Sequence, residues 1–435
     1  MNLLYVIYLC LSTVLIVSLL PFILICVFLT GRYKKLVFQR LGIYPKLFPP
    51  KKYRIWLHAV SVGEINVARS IIKILLNSYP DIDIVLSTTT PRGYDLASTM
   101  NNPRLQCVYS PIDFIVSVRL ALHAIQPDIL VMLETELWPN WIYMTKALNI
   151  PVCIVNGRIS QKSINGFQKF ASLVRFILQK IDIFSMISPD NANRICQLGA
   201  QAQKVYVSGN AKFDLLEQTY RPRLPVQLKR LLSISTQHFV FVAGSTRTGE
   251  EEMVIDAYLA LCKKVPGALC IIAPRHIERC PGIENMLEKT QLKYNRYSWC
   301  KETKSRNAPV ILVDTIGDLV GLYSIANVVF CGGSLVPQGG QNVLEPAVWG
   351  KPVLYGPYMD DFLWAKDVLE EAAGGIMVID VEELTNQILQ FATHKDRAIK
   401  TGQQARTAVL KLAGAAQKHV DLIIQALLEE KISSE

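Results

Sequence analysis

The sequence predicts an α/β protein in which two tandem Rossmann-like domains follow an N-terminal transmembrane helix. Three features carry that prediction. Short, nearly continuous apolar runs alternate with amphipathic stretches from residue 53 onward, the mark of parallel sheets covered on both faces. A polar break with two prolines, Arg221-Pro222-Arg223-Leu224-Pro225, divides the runs into two series. The segment from Leu3 to Gly31 contains no Asp, Glu, Lys, Arg or His. At 435 residues the chain is too long for one core and suits two domains. The expected layout is an anchor over 1–31, a first domain over 32–222 and a second over 223–435 that includes the C-terminal helices.

The apolar segment is long enough, at about 1.5 Å per residue, to cross a hydrocarbon core of about 30 Å. Pro21 lies inside it as a candidate kink. A cleaved signal peptide would have a basic residue before the apolar run and a small-residue cleavage site after it; the sequence has neither. Arg32, Lys34, Lys35, Arg40, Lys46, Lys51, Lys52 and Arg54 follow, with no acid before Glu64. They account for most of the formal net charge of +10, and the rest of the chain is close to neutral. The basic character is therefore juxtamembrane. Such a patch keeps the following domains cytoplasmic and attracts an anionic membrane surface. Nucleic-acid binding would spread bases along a domain surface among stacking aromatics, so no nucleic-acid partner is expected. The ten cysteines form no C-x-x-C and no zinc-like cluster, and read as small core residues.

The first series of strand-like runs is Arg54–Val60, Ile82–Thr89, Leu105–Ser110, Ile129–Leu133, Val152–Asn156, Ile183–Ser188 and Val205–Ser208. The second is Phe239–Ala243, Ala268–Ala273, Val310–Val313, Val328–Cys331, Pro352–Tyr355 and Ile376–Ile379. The break over Gln218–Lys229 reads as a linker. Residues from about Arg397 to Glu430 read as one or two polar, solvated helices. Asp81-Ile82-Asp83 has the D-x-D spacing of a metal site but precedes a strand, and reads as a solvated turn.

Ligands in doubly wound sheets bind beyond the carboxyl ends of the strands, so the residues there carry the chemistry. Gly63 permits a tight turn after the first strand. It leaves Glu64 at a helix N-terminus, where the helix dipole favours an ionised carboxylate. That suits a base, and it equally suits a helix cap. His58, inside the strand, reads as a buried support. Glu134-Thr135-Glu136-Leu137-Trp138-Pro139 follows the fourth strand. Alternation puts Glu134 and Glu136 on one side of an extended segment, where like charges raise one carboxyl's pKa. Lys212, in Gly209-Asn210-Ala211-Lys212-Phe213-Asp214, can reach a phosphate or carboxylate. In the second half, Gly244–Glu251 is a small-residue loop whose backbone amides can cradle an anion. It is neither a Walker loop nor G-x-G-x-x-G. Arg275 ends the next strand and can grip a phosphate. The glycines of Gly332-Gly333-Ser334-Leu335 and Gly339-Gly340 let backbone approach a ligand. Asn342 and Glu345 share a helix face suited to a ribose diol or to a capping box.

In combination, His58–Glu64 (HAVSVGE), Glu134–Asn140 (ETELWPN), Gly209–Asp214 (GNAKFD), Pro274–His276 (PRH), Gly332–Leu335 (GGSL) and Asn342–Pro346 (NVLEP) resemble the Kdo (3-deoxy-D-manno-octulosonate) transferases of lipopolysaccharide assembly. The resemblance runs from the anchor almost to the C-terminus. It implies a glycosyltransferase B fold and inverting transfer of Kdo from CMP-Kdo to the lipid A precursor (lipid IVA). It places the enzyme at the inner membrane, single-pass, with the catalytic domains on the cytoplasmic face. Carried over by residue, it makes Glu64 the general base and Glu134 and Lys212 stabilisers of the transition state. It has CMP held by Pro274, Arg275, Ile316, Gly317, Asp318, Asn342, Val343, Leu344 and Glu345. Asp318 departs from the family's usual Glu, and Gln341 stands where some members have His. CMP has one phosphate, so cationic side chains can serve in place of a metal, and no cofactor is expected. Other classes this sequence leaves open are a nucleotide-sugar epimerase of the same fold and an inactive membrane scaffold.

Overall fold

The computed structural model describes residues 2–30, 34–49, 51–214 and 220–432. Gly31 and Arg32 of the N-terminal segments and Gln218 of the linker lie outside the described residues. The chain forms two compact units, Met1–Leu215 with Ala413–Glu435, and Leu216–Leu412.

In the first unit the strands are β1 (Tyr53–His58), β2 (Ile82–Thr88), β3 (Leu105–Tyr109), β4 (Ile129–Leu133), β5 (Val152–Gly157), β6 (Ile183–Met186) and β7 (Val205–Val207). They form one parallel sheet in the order β3-β2-β1-β4-β5-β6-β7. Period-two alternation sends neighbouring residues to opposite faces. Ile55, Leu57, Ile84, Leu86, Ile129 and Val131 enter one core. Trp56, Val85, Leu130, Met132, Ile154 and Phe184 enter the other. Two buried faces explain why these strands read as unbroken apolar runs. Asp83 is not in a solvated turn. It lies within β2, 3 % exposed, and accepts the Lys51 amide at 2.8 Å.

The second unit holds β8 (Val240–Thr246), β9 (Leu269–Pro274), β10 (Tyr294–Arg296), β11 (Val310–Leu312), β12 (Val328–Cys331), β13 (Val353–Tyr355) and β14 (Gly375–Met377). Their order is β10-β11-β9-β8-β12-β13-β14, again parallel. The sequence runs do not include β10. It is a three-residue edge strand of Tyr-Asn-Arg with no buried residue, so it has no apolar signature. The linker segment is shorter than the sequence suggests, because Leu224–Leu231 is a helix with proline in its first turn and Leu228 buried. Proline at that position forfeits no helical hydrogen bond.

The last helix departs most from the sequence layout, which assigns all of 223–435 to the second domain. Ala415–Ile432 packs into the first unit. Ala416, Val420, Ile423 and Leu427 join the core that holds Ile55 and Leu86. Full burial of each larger side chain contributes roughly 1.5–3 kcal/mol. Asp214 fastens the start of this helix by accepting the Gly414 and Ala416 amides at 2.7 and 3.0 Å. His419 is fully buried, with Nδ1 2.7 Å from Ser185 Oγ. The helix is therefore a core element on one face, with Gln417, Lys418, Asp421, Gln425 and Glu429 exposed on the other.

At the other end, Leu3–Thr30 is one helix through Pro21, long and apolar enough to cross a membrane.

Candidate active site

In the first sheet, strand order reverses between β1 and β4, and this is where open α/β sheets place their ligands. Glu64 follows β1. Ser61 caps the helix Val62–Ser78, and Glu64 closes a capping box with it. Oε1 accepts from the Ser61 amide and hydroxyl at 3.2 and 2.8 Å, and Oε2 accepts from the Val60 amide at 2.8 Å. Glu64 as a whole is 5 % exposed. Burial raises its pKa, and the charge of Glu134 adds to the rise, against the bonds from Val60 and Ser61. The cap is therefore present. A base is compatible with it, because Oε2 accepts one bond and retains a lone pair. His58 is a support, as its sequence position implies. Its ring lies 4.7 Å from that of Trp141, Nδ1 is 2.9 Å from Ser87 Oγ, and burial lowers its pKa to about 3.

Glu134 follows β4. Its amide donates to Val155 O, but its φ of +56° turns the chain out of the strand. The extended geometry expected for Glu134 and Glu136 therefore ends at Leu133. A left-handed non-glycine residue carries a conformational cost of roughly 1–3 kcal/mol, and such residues concentrate at functional sites. Lys212, just beyond β7, pairs with Glu134 at 3.2 Å. Glu136 is pushed up to about 7 by burial, then by Glu64 and Glu134, with Trp138 opposing. Three carboxylates and one lysine from separate strand ends thus interact at one point of the sheet.

The second sheet has its own reversal between β8 and β12. The loop after β12 begins against β8, where Gly332 donates to Gly244 O at 2.8 Å, and closes on itself, where Gly340 donates to Gly333 O at 2.7 Å. A Cβ on Gly332 would sit 2.6 Å from Thr246 Cα, so only glycine fits there. Of the amides in the expected anion cradle, Gly244–Glu251, that of Arg247 is taken by Glu250, whose other partners belong to the loop after β12. Glu250 accepts from the amides of Arg247, Gly333, Ser334 and Leu335 at 2.6–2.9 Å and is fully buried. These amides therefore hold the loop and are not free for a ligand. The sequence does not mark Glu250 as a joint, because Gly333, Ser334 and Leu335, whose amides it binds, lie more than 80 residues away.

Pro274 and Arg275 end β9, with the Arg275 amide bonded to Thr246 O and its side chain exposed. Asn342 Nδ2 donates to Glu345 Oε1 at 3.3 Å, and Leu344 N to Asn342 Oδ1 at 3.2 Å. Burial raises the Glu345 pKa, while Asn342 and the Arg275 charge oppose the rise. Val343 and Leu344 are buried beneath this pair. Arg275, Asn342 and Glu345 form one group. The Ile316-Gly317-Asp318 turn projects separately. Ile316 is 85 % exposed, Gly317 has a φ of +90°, and Asp318 is held by Lys301 and Thr315 at 2.9 and 2.6 Å. Arg247 also stands at the β8 end, with Nη1 2.9 Å from His276 Nε2.

Residues 35–215 match the model of the family described as 3-Deoxy-D-manno-octulosonic-acid transferase (kdotransferase). A bifunctional glycosyltransferase/methyltransferase of Fusobacterium nucleatum is 36% identical over 346 residues, which cover 79% of this chain and 53% of that protein. The chain thus spans about half the length of that relative. A 3-deoxy-D-manno-octulosonic acid transferase of Haemophilus influenzae is 29% identical over 393 residues, covering 90% and 91% of the two chains. Among solved structures, UDP-GlcNAc 2-epimerase from Neisseria meningitidis bound to UDP-GlcNAc aligns with a TM-score of 0.56 over 86% of this chain and 100% of that one. At 14% identity the likeness is one of fold, the two-sheet glycosyltransferase B architecture.

Proposed function

We propose that this chain, whose residues 35–215 match the 3-deoxy-D-manno-octulosonic-acid transferase family, is an inverting glycosyltransferase that moves Kdo from CMP-Kdo to the lipid A precursor. The observation that carries the reading is the acid group at the β1–β4 reversal. Glu64 there has an open lone pair and a raised pKa, and the Glu134–Lys212 pair stands alongside it. A hydroxyl of the acceptor attacks the anomeric carbon of Kdo as the bond from that carbon to the CMP phosphate breaks. The hydroxyl proton passes to Glu64, and CMP leaves with the bonding pair. A carboxyl raised in pKa is a stronger base than an exposed one, provided it is ionised at the working pH.

The nucleotide belongs to the second unit. Arg275 suits the single phosphate of CMP as a planar fork. Glu345 and Asn342 suit a ribose diol, and Pro274, Val343, Leu344 and the Ile316–Asp318 turn supply the surrounding surface. Glu134 and Lys212 face positive and negative charge as these develop in the transition state. Cationic side chains here do what a metal does in other transferases, so transfer needs no added metal. The apolar N-terminal helix and its basic flank suit an enzyme whose acceptor is a lipid, working on the cytoplasmic face of the inner membrane.

The test is to incubate the purified full chain with CMP-Kdo and lipid A precursor in EDTA-containing buffer and to follow products by mass spectrometry. Acceptor heavier by Kdo, with CMP released in equal amount, is the expected result. A rearranged nucleotide sugar with unmodified acceptor would make the protein an isomerase, and recovery of both substrates unchanged would leave it a scaffold.

A further inference from the structure

The N-terminal helix and the segment after it are fastened to the same place. Tyr5 is 1 % exposed; its hydroxyl donates to Asn140 Oδ1 at 3.0 Å, and its ring lies 4.5 Å from that of Tyr143. Tyr8 donates to Asp113 Oδ2 at 2.6 Å. Asn2 Nδ2 donates to Ser172 Oγ at 3.0 Å. Beyond the helix, Arg40 O accepts the Ile112 amide at 2.8 Å, and Arg40 Nη1 donates to Ser110 Oγ at 3.0 Å. The buried Gln39 accepts the Tyr109 amide at 2.8 Å. Tyr8 and Arg40 therefore meet adjacent residues, Asp113 and Ile112, of one folded unit.

A spanning helix holds its two flanks apart across a hydrocarbon core of about 30 Å. Here the two flanks converge on neighbouring residues, so a crossing would have to undo one set of contacts. Exposure along the helix agrees with a different placement. Leu3, Ile7, Leu11, Val14, Phe22 and Ile25, spaced three, four or more residues apart on one face, are 44–73% exposed. Tyr5, Tyr8, Ser12, Ile16 and Leu20, on the opposite face, are less exposed. A helix lying in a membrane surface normally turns a polar face to water; this one instead fastens its first turns to protein through Asn2, Tyr5 and Tyr8 and leaves the apolar residues beyond them largely exposed. Its first turns also wall an apolar groove of about 410 Å³ with Leu137, Trp138 and Phe170. Lys34, Lys35, Lys46, Lys51 and Lys52, all exposed, stand on the segment after the helix.

We propose that the N-terminal helix does not cross the bilayer but lies in the plane of one leaflet as a wall of the first unit. Its exposed stripe and groove are then immersed at the acyl boundary, and the adjoining lysines contact anionic headgroups. The inference stands independently of the sugar and nucleotide assigned above. It predicts that both ends of the chain lie on one side of the membrane. Epitope tags at the N- and C-terminus of the full chain are to be compared by protease protection in sealed inside-out and right-side-out vesicles. Both tags are expected to be cleaved in the same vesicle orientation and protected in the other. Tags cleaved in opposite orientations overturn the proposal. A Tyr5→Cys/Asn140→Cys pair treated with a bis-maleimide, whose spacer replaces the length of the tyrosine ring, tests the fastening in the membrane, with a cross-linked band of shifted mobility that neither single variant gives as the expected result. Its absence, with both tags on one side, overturns the docking of the helix on this unit.

Discussion

At Glu64 the hydrogen bonds of a helix cap and the needs of a base fall largely on different oxygens. Oε1 is taken twice by Ser61, whereas Oε2 meets only the Val60 amide. Glu64→Gln replaces one acceptor oxygen with a donor, so one of those amides loses its partner, at about 1–3 kcal/mol. The variant is expected to fold with a lowered Tm, bind CMP as before and lose at least about 100-fold in turnover. Weakened CMP binding with normal saturated turnover would instead make Glu64 a binding group. Glu136 contributes to the pH response alongside Asp113, which burial raises to about 6. The folded pKa of Glu136, about 7, lies above the ordinary value of 4.5, so the folded state holds the extra proton between those values. Its contribution to stability therefore falls as pH rises through that window. Glu136→Gln should flatten that decline in a series of Tm measurements. On the second unit, Arg275→Ala and Glu345→Ala are each expected to weaken CMP binding by about 1–3 kcal/mol in calorimetry. The identities of these residues were legible as acids and bases at strand ends. The left-handed turn at Glu134 was not, because no glycine or asparagine marks it.

Among elements, the loops of the second sheet show how a motif read as a ligand cradle becomes a structural joint. Glu250 closes that joint, and Glu250→Ala would leave four amides without their acceptor. Each unsatisfied buried group costs about 1–3 kcal/mol, so a fall of several degrees in Tm is expected, together with loss of CMP affinity. Unchanged Tm would mean that water replaces the carboxylate. Thirteen of the strands were visible as apolar runs, most of them because both faces of the sheet are buried there; the edge strand β7 is apolar without a buried residue. The edge strand β10 is polar in sequence and was silent. The helix Leu224–Leu231 was hidden by Pro222 before it and Pro225 inside it, which suggest a break, although Pro225 suits a first turn. The N-terminal helix was plain in length and composition. Its docking through Tyr5 and Tyr8 was not, since it depends on partners more than 100 residues away.

For the whole molecule, two sheets in tandem followed directly from the sequence, but the ownership of the last helix did not. Its apolar positions fit either unit, and only the packing of Val420, Ile423 and Leu427 decides. Removing 413–435 should therefore destabilise the first unit and spare the second. Limited proteolysis is expected to degrade the first unit and leave a resistant fragment from about residue 220 to 412. Equal resistance of both units would show that the helix is dispensable. The same feature bears on biosynthesis. A ribosome releases the first 215 residues, then about 200 residues of the second unit, before it supplies the helix that completes the first core. At about 5–20 residues per second this is an interval of about 10–40 s. Throughout it the surface that this helix covers, on the helix Val62–Ser78 and on β4, β5 and β6, belongs to an unfinished core in a nascent chain, where exposed apolar surface invites chaperones or aggregation.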